Sequence, residues 1–139
     1  MKKLLFIFAA TILLVACGEK KADSSTSTLN SVLDEKTVNV VYFHGKQRCK
    51  TCLNIQEIAK NTVAEQFAGN ENVKFVEIDF SEKANEAMAE KYEVAWSSLI
   101  IVKGEKYENM TDEAFSKANN DAAGLSSSIA QKINEYISL

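Results

Sequence analysis

The sequence predicts an α/β domain: a central mixed four-stranded sheet flanked by helices. Three observations predict it. Apolar runs rich in β-branched and aromatic residues alternate with stretches whose apolar residues recur at helical spacing. The first of these runs is apolar at nearly every position, as a strand covered on both faces of a sheet must be. The pair Cys49-Lys50-Thr51-Cys52 falls where that run gives way to the first helical stretch.

Thr37 to Phe43 is the first predicted strand, and His44-Gly45-Lys46-Gln47-Arg48 is a polar loop that delivers the chain to Cys49. From there Leu53, Ile55, Ile58, Ala59, Val63 and Phe67 recur at mostly helical spacing, with Gly69 as a natural stop. Val73 to Phe80 alternates apolar and charged residues and reads as the second strand. Ser81-Glu82 opens a helix through Ala84, Ala87, Met88 and Tyr92, with Ser81 as its N-cap. Trp96 to Val102 is the third strand, Gly104 makes a turn, and Lys106-Tyr107-Glu108 forms a short antiparallel fourth strand. Thr111-Asp112 caps a helical stretch through Phe115 and Ala118. Leu125, Ile129, Ile133 and Ile137 step by four along a C-terminal amphipathic helix. The order β-α-β-α-β-β-α-α joins the first two strands by a right-handed parallel crossover and the last two by a hairpin.

The N-terminus has its own logic. Met1-Lys2-Lys3 and the apolar stretch Leu4 to Val15 are too short for a bilayer-spanning helix, which needs roughly 20 residues. They read as a secretory signal, residues 1–16. Leu14-Val15-Ala16-Cys17 resembles the bacterial lipobox, in which the cysteine is lipidated and becomes the mature N-terminus; an ordinary signal with an incidental Cys17 is the alternative. Residues 17–30 are polar, rich in Ser, Thr and Lys, and read as a lipidated N-terminus and flexible tether. The expected location is beyond the inner membrane, lipid-anchored, periplasmic or outer-membrane facing, where disulfides persist.

Residues 31–139 suffice for one small domain with a real core. A formal net charge of −3 is mild and argues against a nucleic-acid surface. There is no internal repeat and no long charge block.

Two thiols three positions apart at a helix start can close into a disulfide with little backbone movement. Helix-start amides also stabilise the thiolate of the first cysteine. A strand, a C-x-x-C pair and a helix together build a dithiol–disulfide redox centre. A zinc site usually wants a second ligand pair, and beyond this pair the chain holds only Cys17 and one histidine, His44. No resident metal is therefore expected, and the redox group is the Cys49–Cys52 disulfide itself.

Motif, element order and secretion together make residues 37–139 resemble the thioredoxin-like superfamily. The string from Tyr42 to Cys52, with Trp96-Ser97-Ser98 downstream, looks like a small bacterial group within it, some members of which are named for arsenic-related gene clusters. Three departures stand out. Thioredoxins carry Trp before the first cysteine and Gly-Pro between the two, where this chain has Arg48 and Lys50-Thr51. They bury an aspartate six residues before the first cysteine, where this chain has Phe43. They place a cis-proline before the third strand, where Ser97 and Ser98 stand, and proline is absent from the whole chain. A cis bond before a non-proline residue costs about 2.5–4 kcal/mol, so an ordinary trans peptide is expected there.

The resemblance implies that Cys49 is the attacking thiolate and Cys52 the resolving thiol. Lys46, Arg48 and Lys50 flank Cys49 with positive charge that favours the thiolate, or are solvated loop charges with weak effect. His44 exchanges protons with Cys52 or serves as a third metal ligand, or is a hydrogen-bonded residue at a strand end. Trp96 shields the thiols or forms a docking surface; core packing at the sheet end is slightly favoured. Ser97 and Ser98 bond a docked peptide or the Cys49 sulfur, or simply start a strand. Tyr42, Phe43, Phe75 and Ile100 are core. The leading expectation is a membrane-tethered thiol–disulfide oxidoreductase whose partners are protein thiols and disulfides or a membrane redox donor. Two alternatives are a binder of soft ions such as Cu(I) or As(III) and an interaction module whose disulfide is only structural.

Overall fold

The computed structural model describes residues 32–139; the signal segment 1–16, Cys17 and the tether 17–30 lie outside the described residues. Among the described residues the chain runs through β1 (Val38–His44), α1 (Lys50–Gln66) and β2 (Val73–Asp79). A 3-10 turn (Lys83–Asn85) leads into α2 (Glu86–Lys91). Then follow β3 (Ser98–Lys103), β4 (Lys106–Asn109), α3 (Thr111–Lys117) and α4 (Ala122–Ile137). The four strands form one mixed sheet in the order β2-β1-β3-β4. β1 is parallel to β2, with Tyr42 beside Glu77, and antiparallel to β3, which pairs antiparallel with β4.

The unbroken apolar run of β1 is explained by its central place. Val38, Val40 and Tyr42 face one core with Ile55, Ala59, Leu99, Ile101, Leu125, Ile129 and Ile133. Val41 and Phe43 face the other, with Ile78, Met88, Tyr92, Ile100 and Val102. Period-two alternation thus sends successive side chains into two different apolar layers, and no position on the strand can be polar without a partner. Asn39 is the buried exception, and its amide donates to the carbonyls of Asp34 and Thr37. Its burial is therefore satisfied rather than penalised. On the α4 side the stripe closes with Tyr136 inside and Ile137 exposed.

Several local expectations are corrected. Leu53 is exposed, and the buried stripe of α1 is Cys52, Ile55, Ala59 and Thr62. Cys52 therefore belongs to the core face of its helix. Ser81 does not cap a helix: its amide and hydroxyl bond the Asp79 carboxylate, and the chain enters a 3-10 turn behind Glu82 instead. Glu82, not Ser81, occupies the N-cap position, so the Ser81 hydroxyl stands one residue too early to meet a helix-start amide and donates to that carboxylate instead. Thr111 opens α3 without capping it, because its hydroxyl accepts the buried Leu99 amide of β3, while Asn109 Oδ1 accepts the Thr111 amide. β3 begins at Ser98, so Trp96 stands outside the sheet.

Two turns are set by positive φ. Gly104 (φ +58°) opens the two-residue β3–β4 turn, where only the first central residue needs that conformation. Helix α2 ends in a Schellman pattern, with Val94 N donating to Ala89 O and Glu93 N to Glu90 O. Glu93 holds the left-handed position (φ +54°) that glycine usually fills. That turn aims Val94–Ser97 across the end of the sheet where the cysteines lie. Among the described residues no helix is long and apolar enough to cross a membrane.

Candidate active site

Strand β1 ends at His44, and five residues later Cys49 is the N-cap of α1 in an extended conformation (φ −77°, ψ 161°). Its sulfur does what a Ser or Asp oxygen does at other helix starts: it accepts the Cys52 amide, at 3.0 Å. No carboxylate stands in the first turn of α1 to offset the positive end of the helix. Cys49 and Cys52 are joined in a disulfide across a Cα–Cα distance of 5.0 Å, within the span that such a bond bridges readily. The two cysteines are unequal. Cys49 is exposed, whereas Cys52 is only 7% exposed and packed into the core face of the helix.

Beneath the pair, the buried Tyr42 hydroxyl donates to the Cys52 carbonyl at 2.7 Å. Burial holds the Tyr42 phenol above the usual tyrosine value; the Ser97 hydroxyl and the Arg48 charge pull the other way and are outweighed. Burial raises Tyr92 likewise. A phenol whose folded value is raised stabilises the fold below its unfolded value and loses that contribution as pH rises through the folded one. The urea midpoint is therefore expected to fall above about pH 10, and Tyr42→Phe to flatten part of that alkaline limb. An identical limb in the variant would refute the assignment to Tyr42.

An open groove of about 430 Å³ runs past the sulfurs, with Cys49, Cys52, Phe80, Trp96, Ser97 and Phe115 among its walls and no charged side chain in them. Trp96 is 61% exposed and lies flat on Phe115, ring centroids 5.8 Å apart and planes 9° from parallel. The expectation of core packing at Trp96 is thereby corrected: one face packs on Phe115 and the rest meets solvent at the groove. Ser97 also lines the groove. Ser98 does not, because it is buried at the start of β3 and its hydroxyl donates to the Trp96 carbonyl. Among the described residues every peptide is trans.

No protein-family model and no curated protein matches the chain.

The charged residues around the motif divide into two sets. Lys46 and Lys50 are exposed. Arg48 folds inward, its Nη1 3.2 Å from Glu77 Oε1 and its Cζ 5.9 Å from the Tyr42 ring centre. His44 also turns to Glu77, with Nε2 at 3.0 Å from Oε1, while Nδ1 meets the Gly45 carbonyl at 3.0 Å. Both ring nitrogens are thus engaged away from the sulfurs. Proton exchange with Cys52, or service as a third metal ligand, would require one of those contacts to break. Among the described residues no group of three or more His, Cys, Asp and Glu side chains is arranged to hold a metal ion.

Three contributors were not legible as site residues. Glu77 lies on the polar half of an alternating strand, yet the parallel register sets it beside Tyr42; a carboxylate on the same face as Phe75 was the available signal. Phe115 sits in a helical stripe that reads as core. Asn119 clasps the motif from the α3–α4 turn: its Nδ2 donates to Thr51 Oγ1 and its Oδ1 accepts from Asn54, both at 2.8 Å. Nothing local to Asn119 announces that role.

Proposed function

We propose that the protein is a thioredoxin-like thiol–disulfide oxidoreductase, held at a membrane through Cys17, that exchanges disulfides with protein partners through Cys49 and Cys52. The observation that carries this reading is the inequality of the two cysteines: an exposed residue at a helix start and a buried one a turn inside. The superfamily reading is supported by the element order, the sheet order β2-β1-β3-β4 and the pair's position at the start of α1. The membrane tether rests on the lipobox-like Leu14-Val15-Ala16-Cys17.

In the reducing direction, the Cys49 thiolate attacks one sulfur of a partner disulfide. The S–S bond breaks, one partner thiolate leaves and takes up a proton, and a Cys49–partner disulfide forms. The Cys52 thiolate then attacks the Cys49 sulfur and expels the second partner thiolate. Two electrons have passed to the partner, and the pair ends as the disulfide seen here. The oxidising direction is the same sequence reversed, with a partner dithiol as the electron donor. Amide donation from Cys52 and the bare helix start favour the attacking thiolate.

A purely structural bond is the weaker alternative on energetic grounds. Closing a loop of only four residues restricts the unfolded chain by about 2 kcal/mol in the chain-entropy treatment, little for a domain whose strands and helices already enclose two apolar layers.

The deciding measurement is the reduction potential of the Cys49–Cys52 couple against a glutathione or dithiothreitol buffer. A reversible two-electron couple between about −120 and −270 mV is expected, the range of exchange-active pairs; a value below about −300 mV would identify a structural bond. Metal content of the reduced protein, taken alongside, separates the soft-ion alternative: stoichiometric Cu(I) or As(III) uptake with no reversible couple would favour it.

A further inference from the structure

Glu77 is the meeting point of three elements around the cysteine pair. Its Oε1 faces His44 Nε2 from the end of β1 at 3.0 Å and Arg48 Nη1 from the motif loop at 3.2 Å. Its Oε2 accepts from Gln56 Nε2 on α1, at 2.7 Å. Arg48 precedes Cys49 directly in the chain, and its guanidinium is poorly satisfied where it lies. Nη1 has Glu77, but Nε and Nη2 are buried without a hydrogen-bond partner. Leaving buried donors unpaired is unfavourable, because the water they lose is not replaced by another acceptor. What holds the cation there is the Glu77 carboxylate, helped by the Tyr42 ring beneath it.

The oxidised pair offers that guanidinium no competing anion. Reduction creates one, the Cys49 thiolate, on the residue next in the chain. We propose that Glu77 is a positioning residue that holds the Arg48 guanidinium away from the Cys49 sulfur, and so sets how strongly the reduced protein favours its thiolate. The inference rests on the oxidoreductase reading and names a control element of the same site. With Glu77 charged, the Arg48 guanidinium is kept beside β2, and the thiolate is stabilised by the helix start. With that charge removed, Arg48 is free to bring its unpaired donors to the sulfur. The thiolate then becomes more stable, the reduced state gains, and the couple becomes more oxidising.

The other charges in this corner are accounted for. His44 faces the same carboxylate. Asp79, at the end of β2, has its carboxyl held below the usual range chiefly by the Ser81 hydroxyl, with smaller contributions from His44 and Lys46. Lys46 and Lys50 are exposed, and their fields are screened by solvent.

The test is titration of Cys49 in the reduced full-length protein, followed by thiolate absorbance and by the pH dependence of its alkylation with iodoacetamide. Glu77→Gln is expected to lower the Cys49 midpoint by about one unit, the low end of what an adjacent guanidinium does to an anion, and to shift the couple in the oxidising direction. Glu77→Asp, which keeps the charge, is expected to restore most of the wild-type midpoint. In an Arg48→Met background the Glu77→Gln shift is expected to vanish. An unmoved midpoint in Glu77→Gln would overturn the proposal, and so would the same shift without Arg48, which would mean a direct field effect of the carboxylate. Should Glu77→Gln fail to fold, the Arg48 Nε–H resonance of the wild-type protein decides. Unchanged on reduction, it supports the proposal; moved into contact with the thiolate, it overturns it. A wild-type pair with no reversible couple would sink the oxidoreductase reading itself, a different result from a reversible couple that is indifferent to Glu77.

Discussion

Cys49→Ser is expected to lower the rate of disulfide exchange with a protein substrate by roughly three orders of magnitude or more, as loss of a nucleophile does. Cys52→Ser is expected to do something else: to accumulate a covalent Cys49–partner disulfide. The asymmetry follows from burial. A partner's sulfur must approach in line with the bond it breaks, and Cys49 is the exposed residue of the pair, whereas Cys52 is 7% exposed on the core face of α1. Cys52 can therefore meet only the sulfur already next to it, across the 5.0 Å Cα separation of the pair. Serine in its place cannot attack, and the mixed species persists. Non-reducing electrophoresis and intact mass of protein mixed with a disulfide substrate read the outcome, with dithiothreitol releasing the adduct. Full exchange by Cys49→Ser would remove the chemistry from this pair altogether. Both variants should stay folded, because the four-residue loop contributes only about 2 kcal/mol.

The second large effect concerns the scaffold. Ile129→Ala is expected to destabilise the domain by about 2–5 kcal/mol, a large part of the roughly 5–15 kcal/mol that small domains possess. Ile129 is fully buried in the layer where α4 meets α1 and the sheet, between Leu125 and Ile133 on its own helix and Val40, Leu99 and Ile101 on the strands. Truncation removes transfer energy and leaves a cavity that rigid strands on one side cannot collapse to fill. The urea midpoint should fall with an unchanged slope. Leu53→Ala, at an exposed position of α1, is the matched control and should stay within about 0.5 kcal/mol of wild type. A loss below about 1 kcal/mol at Ile129 would mean that α4 is not fastened to the sheet as described.

The elements themselves were legible because each depends on near neighbours in the chain. The run from Val38 to Phe43 fits a strand with two covered faces, and the Leu125-Ile129-Ile133 spacing fits a helix with one. Boundaries failed where a side chain had a choice of partner. Ser81 was expected to start a helix and Glu82 takes the cap position instead; at Thr111 the boundary held, but its hydroxyl accepts the Leu99 amide rather than capping α3. Trp96 and Ser98 exchanged expectations for a related reason. β3 begins at Ser98, so the smaller residue is inside and the larger one stands at the rim of the groove. The charges around the motif were visible as a basic cluster, yet Glu77, the partner of Arg48, lies 29 positions from it and no local pattern joins them.

From the sequence by itself came the α/β order, the cysteine pair at a strand-to-helix junction and the central place of the first strand, all consequences of periodicity and short-range chain geometry. Only the tertiary structure decided which cysteine is exposed, which way Arg48 and His44 turn, and that Trp96 rests on Phe115 beside the pair. Those outcomes depend on competition among hydrogen-bond and packing partners that are distant in the chain, and that competition has no counterpart until the strands and helices are in contact.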